Sequence, residues 1–209
     1  MAGAEPSTIS TADGSVYVLA CGALARELTS IVALNQIDAI TIEYLPAKLH
    51  NRPEQIPDLV AERLTKAAGS YGTMFVAYGD CGTGGRLDTV LERHGAERLP
   101  GDHCYEFFAL DTYRALRAEE IGTFYLTDYL ARHFDRLVWR GLGIDRHPEL
   151  LPLYFGNYRK LAYVSQTVDP ALVEAGREAA ERLGLAFEHH HVGFGDLEST
   201  IVSITRRVA

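Results

Sequence analysis

Thr73-Met-Phe-Val-Ala-Tyr-Gly-Asp-Cys-Gly-Thr-Gly-Gly85 is the stretch that decides the fold. Its first six residues, Thr73 to Tyr78, form a short apolar run of the kind that a strand buried on both faces shows. The run passes without a spacer into a loop holding Gly79, Gly82, Gly84 and Gly85. Beyond the loop, Leu87, Val90, Leu91 and His94 recur at helical spacing. A buried strand feeding a glycine loop and then a helix is the repeating unit of an α/β protein.

The same alternation extends in both directions. Toward the N-terminus, Val16 to Ala20 predicts a strand ending at Cys21-Gly22, and Leu24, Leu28, Ile31 and Val32 predict the helix after it. Ala39 to Leu45 is β-branched and reads as another strand, and a helix marked by Val60, Leu64 and Ala68 stops at Gly69. Toward the C-terminus, the pattern predicts a short strand at 97–100, a helix over 103–119, a strand at 123–127 and helices over 129–142 and 148–158. Leu161 to Ser165 then reads as a strand. Asp169-Pro170 has the cap and first-turn proline of a helix start, and that helix ends at Gly184. Ala186 to Val192 predicts the last strand, and Leu197, Ile201, Ile204 and Val208 the last helix, with Asp196 as its simplest N-cap. The fold expected is α/β, a mainly parallel sheet with helices on both faces, Rossmann-like and three-layered.

A chain of 209 residues suits one domain with a substantial core. Residues 1–14 are small and polar and read as a flexible tail, neither secretory signal nor transit peptide. Residues 15–209 form the domain, within which 160–209 could be a semi-independent βαβα half. No stretch approaches the length of a membrane span, and no basic stripe accompanies the net charge of −8. Arg132, Arg136 and Arg140 share a helical face but have Asp128 and Asp135 beside them, the pattern of a solvated surface. Neither nucleic acid nor membrane is expected as a partner, and the expected location is cytoplasmic. The oligomeric state is not encoded in any pattern visible here.

The chemistry points to the cysteines. There are three, an odd number without a C-x-x-C pair, so a disulfide framework is not expected. In an open parallel sheet, ligands bind beyond the carboxyl ends of the strands. Cys21 and Cys81 follow two such ends, and Cys104 follows a turn after the short strand at 97–100. With those strands as neighbours, the three sulfurs approach a common point. Gly79, Asp80, Gly82, Thr83 and Gly84 form a candidate ligand-binding loop, and the helix after it is expected to lower the Cys81 thiol pKa. The spacing matches neither phosphate-loop fingerprint. Cys81, Cys104 and Asp102 are the candidate catalytic residues. Cys21, Cys81, Cys104 and His50, with His103 as an alternative fourth ligand, form a sulfur-rich set suited to zinc. The three thiolates alone could hold an iron–sulfur cluster. A lone cysteine is most often a small core residue, and Cys21 fits that description well. His189-His190-His191 cannot converge on one ion if it lies in a strand, because neighbouring side chains point to opposite faces. Tyr125, Tyr129, Tyr154 and Tyr158 are expected to pack in the core or at its rim.

The strings Leu19-Ala-Cys-Gly22, Leu49-His50, Tyr78-Gly-Asp-Cys-Gly82, Asp102-His-Cys104 and Gly122-Thr-Phe-Tyr-Leu-Thr127 together resemble the DUF1638 family. Members of that family often accompany corrinoid-dependent methyltransferases, so the resemblance implies a role in one-carbon metabolism. Its pattern has cysteines at the positions of Cys21, Cys81 and Cys104 and a histidine at His50. This chain departs from it at Asp128-Tyr129, where the family usually carries Trp.

Three functions follow. The first is a metal-binding accessory protein or enzyme of corrinoid-dependent methyl transfer, with zinc or an iron–sulfur cluster as cofactor and a small-molecule substrate, corrinoid protein or methyltransferase as partner. The second is a metal-free cysteine enzyme with a two-thiol site, similar to the amino-acid racemases, of whose Cys-Asn-Thr string Cys81-Gly-Thr83 is a partial echo. The third is a non-catalytic module that binds a corrinoid or small ligand. The chain lacks the Asp-x-His-x-x-Gly string of a cobalt-ligating corrinoid carrier, so any corrinoid contact is expected to be indirect.

Overall fold

The computed structural model describes residues 15–207, so the expected tail over 1–14 lies outside the described residues. Strand β1 (Val16–Cys21) runs parallel between β2 (Ile40–Leu45) and β3 (Thr73–Ala77), and β4 (Glu97–Arg98) completes a sheet of order β2-β1-β3-β4. The alternating directions of strand side chains explain how one short run serves two cores. Val16, Val18 and Ala20 face helix α1 (Ala25–Leu34) and the final helix α8 (Gly195–Arg206). Tyr17 and Leu19 face the opposite side, against α2 (Ile56–Ala67) and α3 (Arg86–His94). Burying each such aliphatic side chain contributes about 1.5–3 kcal/mol, which is why this run tolerates no polar interruption.

The remaining strands form a second sheet. Parallel β6 (Lys160–Ser165) lies between β5 (Thr123–Leu126) and β7 (Ala186–His191). Helix α5 (Asp128–Phe134), α6 (Leu150–Phe155) and α7 (Pro170–Leu183) cover one face of it through Leu161 and Tyr163. The parallel pairing and the helices on both faces are those the sequence predicts. The division into two sheets is not visible there, because β4 is only two residues long and extends the first sheet no further.

Helix α4 (Cys104–Glu119) joins the two lobes. Phe107 and Phe108 belong to the first-lobe core, whereas Tyr113 and Leu116 pack on Tyr125 and Ala162 of the second sheet. The helix breaks at Ala109, whose φ of −156° and ψ of 50° are not helical, at the point where it passes from one core to the other. Within the C-terminal part, β6 takes β5 as a neighbour, and α8 packs on the first-lobe core through Leu197, Ile201 and Ile204.

Three local expectations change. The helix expected over 129–142 is α5 followed by a wider π turn, Asp135–Trp139, which places Leu137, Val138 and Trp139 all against the second core. The helix expected over 148–158 shortens to α6. Asp196 does not cap α8; the helix opens at Gly195, where any side chain would strike the Phe108 carbonyl. By contrast, Asp169 caps α7 as expected, its Oδ1 accepting from the Ala171 N–H at 3.0 Å.

Candidate functional site

The two lobes meet around a cavity of about 260 Å³. From the first lobe it is lined by His50, in the turn after β2, by Cys81, after β3, and by His103 and Cys104, at the start of α4. The second lobe supplies the opposite wall from β5 and the adjoining segments: Thr123, Tyr125, Leu130 and Tyr158. The carboxyl ends of the first-lobe strands therefore deliver the thiols to an interlobe cleft, as the parallel-sheet rule predicts.

The glycine loop is shaped from within. Asp80 accepts from the Thr83 hydroxyl at 2.8 Å, the Gly85 N–H at 2.8 Å and the Gly84 N–H at 3.1 Å. Partial burial would raise its pKa, but these bonds to Gly85, Thr83 and Gly84 outweigh burial and hold the carboxyl below the usual range. The turn places Cys81 in the left-handed region at φ 50°, an uncommon position for a residue with a Cβ. Two ladder-like bonds, from Asp80 N–H to the Gly101 carbonyl at 3.0 Å and from Cys81 N–H to the Asp102 carbonyl at 2.7 Å, tie this loop to the one preceding α4. A Cβ at Gly79 would sit 3.0 Å from the Gly101 oxygen, so a side chain there would press the two loops apart by a few tenths of an ångström. Glu106 secures the second loop by accepting from the N–H groups of Asp102 and His103 at 3.1 and 3.2 Å. Asp102 itself is exposed and does not line the cavity; its backbone is what shapes the site.

All three thiols are half-buried, and each pair of them interacts electrostatically. Cys81 and Cys104 face the cavity, while Cys21 packs between the two cores of the first lobe. Burial, reinforced by the Cys21 thiol, pushes Cys81 up to about 12. Burial, then Cys81 and Cys21, raises Cys104, and burial raises Cys21. This reverses the lowering expected at Cys81: the N–H groups of Gly84 and Gly85 are already taken by Asp80, and desolvation of the thiolate dominates. The buried Tyr78 hydroxyl approaches Cys21 without making a full hydrogen bond. Desolvation, followed by repulsion from His103, lowers the pKa of His50 and keeps its imidazole neutral.

Donor type and donor spacing give different answers for a metal. Three sulfurs and a neutral imidazole are the ligands a zinc ion takes. As the side chains lie, however, no group of three His, Cys, Asp or Glu among the described residues is arranged to hold an ion. The histidines of β7 divide between faces as expected: His189 and His191 both meet the Ser165 hydroxyl, at 2.9 and 3.3 Å, and His190 turns to Glu188 at 2.8 Å.

A family model described as a protein of unknown function, DUF1638, matches residues 44–201. The chain belongs to the DUF1638 family. The matched span contains His50, Cys81, His103 and Cys104 but begins after β1, so Cys21 lies before it. No curated protein and no solved structure matches the chain. Among the described residues of this DUF1638 protein, no helix is long and apolar enough to cross a membrane.

The second-lobe wall was largely missed in the sequence. Tyr125 and Tyr158 pack against the second lobe as expected and also line the cavity, and the buried Tyr125 hydroxyl has no hydrogen-bond partner among the described residues. Tyr129 stacks edge-on against His133, and Tyr154 is exposed. Tyr105 bridges the lobes, with ring centroids 4.8 Å from Tyr125. A tyrosine that ends a buried cluster with an unsatisfied hydroxyl leaves no periodic trace by which it could be found.

Proposed function

We propose that the interlobe cavity is the working site of this protein and that its thiols bind a soft metal, zinc or an iron–sulfur cluster. Cys81 and Cys104 would supply the sulfurs that line the cavity, Cys21 the third, and His50 or His103 the nitrogen. The observation that carries the reading is the convergence of Cys81 and Cys104 on a cavity that also holds two histidines, with Cys21 near enough to act on both thiols. High thiol pKa values mean that a metal must displace protons, so affinity should rise with pH. A bound zinc ion would act as a Lewis acid and a cluster as an electron carrier. The chain's own residues supply an enclosed wall of tyrosines that orients a small substrate and limits water. The frequent association of DUF1638 members with corrinoid-dependent methyltransferases makes methyl transfer in one-carbon metabolism the proposed context, with a corrinoid protein or methyltransferase as partner.

A metal-free thiol site is the second reading, favoured by the protonated thiols and by the lack of a ready ligand set among the described residues. Against a two-thiol proton transfer, the two cavity-lining cysteines both come from the first-lobe side, one after β3 and one at the start of α4. Elemental analysis of anaerobically purified protein, before and after reconstitution with zinc or with iron and sulfide, separates the readings. About one equivalent of zinc, or a cluster with its visible absorption, is expected. Less than about a tenth of an equivalent after both treatments refutes metal binding and leaves the thiol enzyme.

A further inference from the structure

A second, larger cavity of about 690 Å³ lies between the first turns of α1 and the 167–170 loop that follows β6. It shares no lining residue with the thiol cavity. Glu27 is the residue that sets it apart. Its position three after Leu24, one before Leu28 and four before Ile31 places it on the apolar face of α1, where a carboxylate is out of pattern. It is 4% exposed, and its Oε2 is buried without any hydrogen-bond partner. An unpartnered buried carboxyl oxygen is costly, and a donor brought by a ligand is one group that would satisfy it.

The nearby charges define what that group could be. Two more acids line the cavity wall. Asp169 caps α7, its Oδ1 taken by the Ala171 N–H at 3.0 Å. Asp128 is satisfied: its carboxylate accepts from the Tyr163 hydroxyl at 2.7 Å, the Gln166 N–H at 2.9 Å, the Thr167 N–H at 3.0 Å and the Thr167 hydroxyl at 2.5 Å. It has no capacity left for a ligand cation. Arg26 and Arg132 also line the cavity, and neither forms an ion pair with a carboxylate among the described residues. Arg132 donates only a long bond, 3.4 Å, to the Asp128 carbonyl. The arginine stripe expected to be solvated thus divides: Arg140 pairs with Asp135 at 2.6 Å, whereas Arg132 turns to the cavity. Val168, Pro170 and Phe194 make an apolar wall at the open side, and Val168 is 83% exposed.

We propose that this cavity binds a free α-amino acid, with its ammonium group on Glu27, its carboxylate on Arg26 and Arg132, and its side chain against Val168 and Phe194. A cation alone would leave the arginines unmatched, and an anion alone would leave Glu27 unmatched. A zwitterion satisfies both without bringing net charge into the cleft. Burial, with Asp128 nearby, raises the Glu27 pKa and is opposed by Arg132 and Arg26. An ammonium group at Oε2 would stabilise the charged form.

Thermal shift of the wild-type chain, in chelator so that the thiol cavity takes no part, tests this directly. Each proteinogenic L-amino acid is compared with acetate and methylamine at equal concentration. At least one amino acid is expected to raise Tm by about 3–6 °C at roughly ten times its Kd, with no comparable shift from either fragment. No shift from any amino acid, or an equal shift from acetate, would overturn the assignment. With the best amino acid, calorimetry of Glu27→Gln should show binding weakened at least about tenfold while the ligand-free Tm holds or rises, because the orphan carboxyl has gone. Unchanged affinity in that variant would also overturn it. A failed metal assay leaves this result untouched, since the two sites share no residue.

Discussion

The raised thiol pKa values make reactivity the sharpest measure of the site. An ordinary cysteine with a pKa of about 8.5 is roughly 9% thiolate at pH 7.5. Cys81, pushed up to about 12, is thiolate in only about three molecules per hundred thousand at that pH. The ratio is near 3,000, but a more basic thiolate is a better nucleophile. With a Brønsted slope of about 0.45, a rise of roughly 3.5 pKa units returns about 40-fold. The net expectation is a reaction with an aromatic disulfide about 50–100 times slower than that of a free thiol. Peptide mass spectrometry after timed quenching follows each cysteine separately, and the urea-unfolded chain supplies the free-thiol rate. Cys104 should be at least as slow, since burial and the other two thiols act on it together. If Cys81 in the folded, metal-free chain reacts as fast as the unfolded control, burial does not govern this site and the account of its chemistry fails.

Two further outcomes follow from the same structure. Asp128→Asn leaves one oxygen for four donors and points an amide N–H at some of them; it should cost about 2–4 kcal/mol and lower Tm by about 4–16 °C, measured by urea and thermal unfolding. Loss of less than about 0.5 kcal/mol would mean the network does not hold β5 and β6 together. Because Cys21, Cys81 and Cys104 hold their protons more tightly when folded than when unfolded, their contribution to stability is complete below about pH 8.5 and is lost as pH rises toward the folded values. Urea midpoints measured from pH 7 to 10 should therefore decline, and should decline less in Cys81→Ser; a flat profile contradicts the pKa directions.

Much of the architecture was legible in the chain because burial on two faces and helical periodicity are local properties. Val16 to Ala20 and Met74 to Ala77 are apolar at every position, the pattern of a central strand, and Asp169-Pro170 and Gly184 mark both ends of α7. The positions of Cys81, Cys104 and His50 at strand ends followed from the parallel-sheet rule, and the structure brings all three to one cavity.

The tertiary structure alone decided the rest. Thiol pKa depends on desolvation and on the neighbouring thiols, so Cys81 reads as an activated cysteine from its glycine loop and is instead a strongly protonated one. The split into two sheets, the return of α8 to the first lobe and the tyrosine wall opposite the cysteines arise from contacts between residues far apart in sequence. So does the isolation of Glu27, whose helical position is visible in the chain but whose lack of a partner is a fact about every element around it. Local order is written in spacing; the energy of a buried charge or thiol is set by what surrounds it in space.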